Sequence, residues 1–269
     1  MTVRAVLFDL GETLIFEAHP PSEEQVFGAM ADALRPLFDR WGIAGHLDVI
    51  AFLRDLHAAL DVAQRERRAR GYEVDAPFVA RAALAAHGVD VSEAKSAEVW
   101  RATAIGLPAR GWQLYPDTLD TLRRVRALAI PAALVSNGRY GSDARRPLLA
   151  ELGITEELLD PFVFSPDLMR PKPRPEPFLR ALDALSVAPA DALFVGDELE
   201  EDIRGAKALG MTTVWKLNGR HDVPPAEEAD FTVHDLWEIF DLGILTHPAA
   251  APVLEESLTP HDDRNADRY

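Results

Sequence analysis

The 269-residue chain has no cysteine. Disulfides, thiolate metal sites and cysteine nucleophiles are excluded together, and a cytoplasmic location is the natural expectation. Nor does any apolar run approach the roughly 20 residues that a membrane span requires. The N-terminal apolar stretch, Ala5 to Leu10, is too short for a signal peptide and contains Asp9. Basic residues are scarce: 28 Lys and Arg stand against 44 Asp and Glu, a formal net charge of −16. Such a surface repels nucleic acid and anionic membranes, so neither is expected as a partner. It also repels phosphorylated substrates at long range, so any phosphate chemistry needs local cations. Nothing in the composition separates a monomer from a homodimer.

What is present is an ordinary globular share of hydrophobic residues, 48%, and enough length for a large core or a core with an insertion. Val3 to Phe8 reads as a buried strand ending in Asp9, Gly11 and Thr13. From Ser22 the period becomes helical. Ser22 and Gln25 form a capping-box pattern, and Val26, Met30, Leu34, Leu37 and Trp41 follow on one face before Gly42. Further helices are expected from about Leu47 to Gly71, after Pro77 to Gly88, and from near Ser92. No strand is expected between Phe16 and Gly111. After Trp112, helices and strands alternate. Strands are predicted at Ala132–Val135, Phe162–Phe164, Leu193–Val195, Thr212–Trp215 and Phe231–Val233. The helices expected between and after them are Thr118–Leu128, Asp143–Leu152, Glu176–Leu185, Ile203–Leu209 and Leu236–Phe240. This alternation implies right-handed crossovers and a parallel sheet covered on both faces. The expected division is an α/β core of residues 1–16 and 112–245, an all-helical insertion of 17–111, and a poorly ordered tail of 246–269, rich in Pro, Ala and acidic residues.

In an open parallel sheet, ligands bind at the carboxyl ends of the strands. Those ends carry Asp9-Leu10-Gly11-Glu12-Thr13, then Ser136-Asn137, then Gly196-Asp197 with Asp202 five residues on; Lys172 lies in a loop between them. Three carboxylates, a hydroxyl and an ammonium therefore converge on one edge. Each has an ordinary alternative. Asp9 could be a turn residue, Ser136-Asn137 a helix cap, Asp197 and Asp202 a solvated first-turn pair, and Lys172 a surface lysine.

Taken together, the four segments resemble the ordered signatures of the haloacid dehalogenase-like superfamily: Phe8 to Leu14, Val135-Ser136-Asn137, Lys172-Pro173, and Val195-Gly196-Asp197 with Asp202 and Ala206. The resemblance spans about Val3 to Leu242. It implies a Rossmann-like α/β core with a helical cap inserted after the first strand. It also implies a Mg²⁺-dependent hydrolase of small phosphorylated metabolites, working through an aspartyl-phosphate. Asp9 would be the nucleophile, with Lys172 and Thr13 completing the catalytic set. Asp9, Asp197, Asp202 and the carbonyl of Gly11 would ligate Mg²⁺. Ser136, the Asn137 amide and Lys172 would bind the phosphate. The chemistry is consistent: Mg²⁺ is a hard ion that takes oxygen ligands, and it lets two anions approach.

One position departs from the pattern. Phosphatases of the superfamily usually carry a second Asp two residues after the nucleophile, as general acid and base; here that residue is Gly11. Glu12 could substitute only if the loop turns, because successive side chains on an extended segment point to opposite sides. Two other readings stay open: a metal-independent 2-haloacid dehalogenase, in which Asp9 attacks carbon, and a catalytically weak binding or regulatory protein on the same fold. Glu198 replaces a small polar residue and is expected to be a solvated loop acid. Arg139, Tyr140 and Arg170 are expected to form surface contacts.

Overall fold

The computed structural model describes residues 3–104, 111–219 and 228–245. The expected tail and residues 105–110, at the end of the expected insertion, lie outside the described residues. Six parallel strands form the main sheet: β1 (Ala5–Phe8), β4 (Ala132–Ser136), β5 (Phe162–Phe164), β6 (Ala192–Gly196), β7 (Thr212–Lys216) and β8 (Phe231–Val233), in the order β5-β4-β1-β6-β7-β8. Residues of β1, β4, β6 and β7 are buried throughout, which is why these strands read as continuous apolar runs rather than alternating ones.

The two faces have separate cores. Val6, Phe8, Leu134, Val195 and Val214 pack with Leu122 and Val125 of α5 (Thr118–Ala127) and Leu149 of α6 (Ser142–Glu151). On the other face Ala5, Leu7, Val135 and Phe194 pack with Phe178, Ala181 and Leu182 of α8 (Pro175–Leu185). The chain runs outward from β1 through β4 to β5, then returns to place β6 beside β1 on the other side. This reversal opens a crevice beyond the carboxyl end of β1.

Among the described residues, four helices lie between Glu17 and Trp112: α1 (Glu23–Arg40), α2 (Val49–Arg70), α3 (Ala76–Ala86) and α4 (Glu93–Thr103). The Ser22–Gln25 capping box is formed reciprocally. Asp48, rather than Leu47, caps α2 by accepting from the amides of Ile50 and Ala51. Gly71 ends that helix in the left-handed conformation, at φ 68°, a conformation that costs a side-chain-bearing residue more than glycine. Phe27, Met30, Leu34, Phe38, Phe52, Leu56 and Leu84 form the apolar centre of these helices. It continues onto the sheet side through Tyr140, whose ring stacks on Trp100 at 4.4 Å. Tyr140 is therefore buried, against the surface contact expected of it. No described helix is long and apolar enough to cross a membrane.

The structure corrects the sequence reading in several places. Phe16 and Glu17 are in a strand, β2 (Ile15–Glu17), paired antiparallel with β3 (Trp112–Leu114). Both segments are only partly buried, so neither reads as an apolar run, and their pairing is non-local. The predicted helix at Ile203–Leu209 instead begins earlier, as a wide π-helical turn over Leu199–Arg204 before α9 (Gly205–Ala208). The carbonyl of Glu198 accepts from the amides of both Asp202 and Ile203, and this places Asp202 back over the end of β6. Two shorter elements were not anticipated: α7 (Ser165–Leu168) and a 3₁₀ turn at Pro189–Asp191. The segment Leu236–Phe240 is a 3₁₀ turn rather than an α-helix.

Candidate active site

Asp9 follows the last residue of β1, and its amide donates to the Val195 carbonyl of β6 at 2.9 Å. Asp197 follows β6, and the wide turn returns Asp202 to the same place. Asp9, Asp197 and Asp202 are all buried, and each offers a carboxylate oxygen within 4.8 Å of the others. Lys172 enters from the loop before α8. Its Nζ lies 2.6 Å from Asp9 Oδ1 and 2.6 Å from Asp202 Oδ1, and it donates to the Val135 carbonyl at 2.8 Å. The four expected carboxylate and ammonium residues thus meet at the sheet edge.

Each is held by identifiable contacts. Asp202 Oδ2 accepts from the amides of Asp197 and Glu198, both at 3.1 Å, so its Oδ1 remains for Lys172 and the cluster. Gly196 has to be glycine for packing: a Cβ there would stand 2.4 Å from Asp202 Oδ2. Asn137 grips the Lys172 backbone from both sides, accepting from its amide at 2.8 Å and donating to its carbonyl at 2.9 Å. Its second amide hydrogen goes to Glu201 at 2.7 Å. The Asn137 side chain is therefore committed to placing Lys172 and Glu201. Ser136 Oγ donates to the Asn137 carbonyl at 3.2 Å. Thr13 Oγ1 is buried with no hydrogen-bond partner.

Electrostatics follow from this crowding. Burial works against the Lys172 ammonium, but the carboxylates of Asp202 and Asp9 outweigh it and hold the group above the usual lysine range. Burial raises Asp202 to about 7; Lys172 opposes the rise and Asp9 adds to it. Three buried carboxylates against one ammonium leave an excess of negative charge. That donor set, all oxygen, and the charge suit a hard divalent cation such as Mg²⁺.

Gly11 and Glu12 form the turn between β1 and β2. Glu12 takes a left-handed backbone at φ 55°, and its Oε2 accepts from the Tyr115 hydroxyl at 2.9 Å. The loop does turn, but it delivers the Glu12 carboxylate to Tyr115. Sequence reasoning missed several residues that touch these loops: Trp215, Lys216, Asn218, Tyr115 and Glu201. The one available signal was Lys216, a lysine closing a fully buried strand. Burial lowers its ammonium to about 8, with Asp117, Asp197, Glu12 and Asp235 acting against the decrease. A cavity of about 420 Å³ adjoins the site, lined by Arg67 and Gly71 at the end of α2 and by Pro171, Lys172, Glu198 and Glu201. Of the flanking residues, Arg139 pairs with Asp61 of α2, and Arg170 lies 3.5 Å from Glu176.

The strand order and the carboxylate–lysine cluster define an α/β protein of hydrolase type. The haloacid dehalogenase-like hydrolase family matches residues 3–210, and the chain belongs to that family. It is 27% identical over 237 residues to the glyceraldehyde 3-phosphate phosphatase of Methanopyrus kandleri, covering 85% of this chain and 90% of that protein. It is 34% identical over 131 residues to the phosphoserine phosphatase of Thermus thermophilus, spanning about half of each, 49% and 51%. Among solved structures, a 2-haloacid dehalogenase from Pseudomonas syringae superposes with a TM-score of 0.63 at 23% identity, covering 90% of this chain and 98% of that one. A phosphatase of the family from Thermococcus onnurineus gives 0.54 at 23%, covering 91% and 100%. Likeness at that identity speaks to the fold.

Proposed function

We propose that the protein is a Mg²⁺-dependent phosphatase of small phosphorylated metabolites, with Asp9 as the nucleophile. The observation that carries this reading is the buried grouping of Asp9, Asp197 and Asp202 around Lys172. The phosphatases among its relatives support it. A metal-independent dehalogenase would have no use for two further buried carboxylates beside its nucleophile.

Asp9, Asp197, Asp202 and the carbonyl of Gly11 would hold the ion. The chemistry supplied by bound Mg²⁺ is charge neutralisation between the nucleophile and the phosphoryl oxygens. Lys172, 2.6 Å from Asp9 Oδ1, places a positive charge beside the nucleophile and at the transferring group. An oxygen of Asp9 attacks phosphorus, the bond to the leaving alcohol breaks, and the alkoxide takes a proton from water. Water then attacks phosphorus of the aspartyl-phosphate, releasing inorganic phosphate and restoring Asp9. Thr13 Oγ1, buried without a partner, would donate to a phosphoryl oxygen together with Ser136 and the backbone amide of Asn137. Residues 17–111 would act as a cap that limits water and selects substrate, hinged on β2 and β3. The 420 Å³ cavity beside Lys172 suits a metabolite rather than a protein substrate.

The test is turnover of phosphoesters and 2-haloacids by the purified protein with and without Mg²⁺. Phosphate release that requires Mg²⁺ supports the reading. Halide release indifferent to chelator would replace it with the dehalogenase.

A further inference from the structure

Strand β7 carries none of the four signature residues, yet its carboxyl end reaches both loops of the cluster. Consecutive strand residues face opposite sides of a sheet, and β7 uses both sides. Trp215 Nε1 donates to the Asp197 carbonyl at 2.8 Å. Lys216 turns the other way, with Nζ donating to the Glu12 carbonyl at 3.3 Å and to Asn218 Oδ1 at 2.5 Å. Asn218 Nδ2 donates to the same Glu12 carbonyl at 2.6 Å. The ammonium also stands 3.1 Å from the centre of the Tyr115 ring, and the Tyr115 hydroxyl holds the Glu12 carboxylate.

Burying an ammonium at 1% exposure is costly where an apolar side chain would fill the same space. What it accomplishes is local. Glu12 has a left-handed backbone, φ 55°, which a residue with a side chain adopts only when its surroundings impose it. Its amide donates to the Ile15 carbonyl at 2.7 Å, its carbonyl takes two donors, and its carboxylate takes a third. The peptide joining Gly11 to Glu12 is thereby locked, and that peptide contains the Gly11 carbonyl.

We propose that Lys216, assisted by Asn218, is a positioning residue that aims the Gly11 carbonyl at the cation site. It does so by clamping Glu12, and through Tyr115 it ties this loop to the β2–β3 ribbon. The inference rests on the phosphatase reading and goes beyond it. Lys216 acts through Glu12, Asn218 and Tyr115 rather than on the reacting atoms.

The experiment compares wild type, Lys216→Met and Asn218→Ala. Mg²⁺ binding is measured by calorimetry, turnover with nitrophenyl phosphate, and thermal melting for each. Lys216→Met should weaken Mg²⁺ binding by about 10–100-fold, the range for groups that orient a metal ligand. kcat should fall at subsaturating Mg²⁺ and recover partly at high Mg²⁺, with little change in KM. Asn218→Ala, in a less buried position, should show the same effects in weaker form and carries the test if Lys216→Met does not fold. Wild type that binds Mg²⁺ and turns over phosphoester, beside variants with unchanged Mg²⁺ affinity, refutes the role of Lys216 alone. Losses of kcat and KM that follow melting temperature, and that added Mg²⁺ does not restore, also refute it. Wild type that neither binds Mg²⁺ nor hydrolyses any phosphoester refutes the phosphatase reading and takes this inference with it.

Discussion

Replacing Gly11 by Asp tests whether a missing general acid limits the enzyme. Gly11 is not among the glycines with a positive φ, and a Cβ built there meets nothing within 4 Å. The substitution therefore carries neither the strain of a left-handed backbone nor a steric clash. The new carboxyl would lie near Asp9, Asp197 and Asp202, whose negative charge raises its pKa and favours the protonated form that a general acid needs. A well-placed acid contributes about 10²–10⁴-fold, equivalent to about 3–5 kcal/mol off the barrier. The gain should depend on the leaving group. An alkoxide needs protonation as its bond breaks, whereas a nitrophenolate leaves unaided. Wild type should therefore prefer nitrophenyl phosphate to glycerol phosphate strongly. Gly11→Asp should narrow that preference chiefly by raising glycerol phosphate turnover. Steady-state kinetics on both substrates measures this, with circular dichroism to verify folding and burst kinetics to show whether water attack on the aspartyl-phosphate limits both. A folded variant that gains nothing on glycerol phosphate, when wild type already hydrolyses it well, would refute the reasoning. Glu12 would have to leave Tyr115 before it could supply the proton instead.

Asp9→Asn should abolish turnover of every phosphoester while leaving melting and circular dichroism near wild type; near-normal activity would remove the covalent mechanism. Asp202→Asn should weaken Mg²⁺ activation while retaining an acceptor for the amides of Asp197 and Glu198. Asp202→Ala should lose that acceptor as well and melt lower, so equal melting of the two would show that the amide contacts contribute nothing. Lys216 gives a pH signature. Burial holds its ammonium at about 8, below the usual lysine value of 10.5, so the unfolded chain binds more protons between those limits. The cost of burying the charge is present in full below pH 8 and is relieved as pH rises toward 10.5. Relative to Lys216→Met, wild type should therefore gain stability in urea unfolding between about pH 7.5 and about pH 9.5. An unchanged difference would show that the ammonium is not strained.

All six strands of the main sheet were legible in the sequence, because buried parallel strands appear as short apolar runs, several of them closed by chemically distinctive residues. Helix α1 was equally legible through the Ser22–Gln25 capping box, which is a local interaction. The sequence also nominated Asp9, Lys172, Asp197 and Asp202, since each ends or follows a recognisable strand. What those residues touch depends on the folded arrangement. The β2–β3 ribbon pairs Phe16 with Gln113, a contact between segments far apart in the chain and only partly buried. The side chain of Asn137 holds the backbone of Lys172, and the carboxylate of Glu12 goes to Tyr115. Lys216 reaches Glu12 across the end of β6 only because Gly196, Trp215 and the strand order bring those loops together. Local propensity and side-chain period encode elements. The pairing of one loop with another depends on the register and order of the whole sheet, which no window of sequence contains.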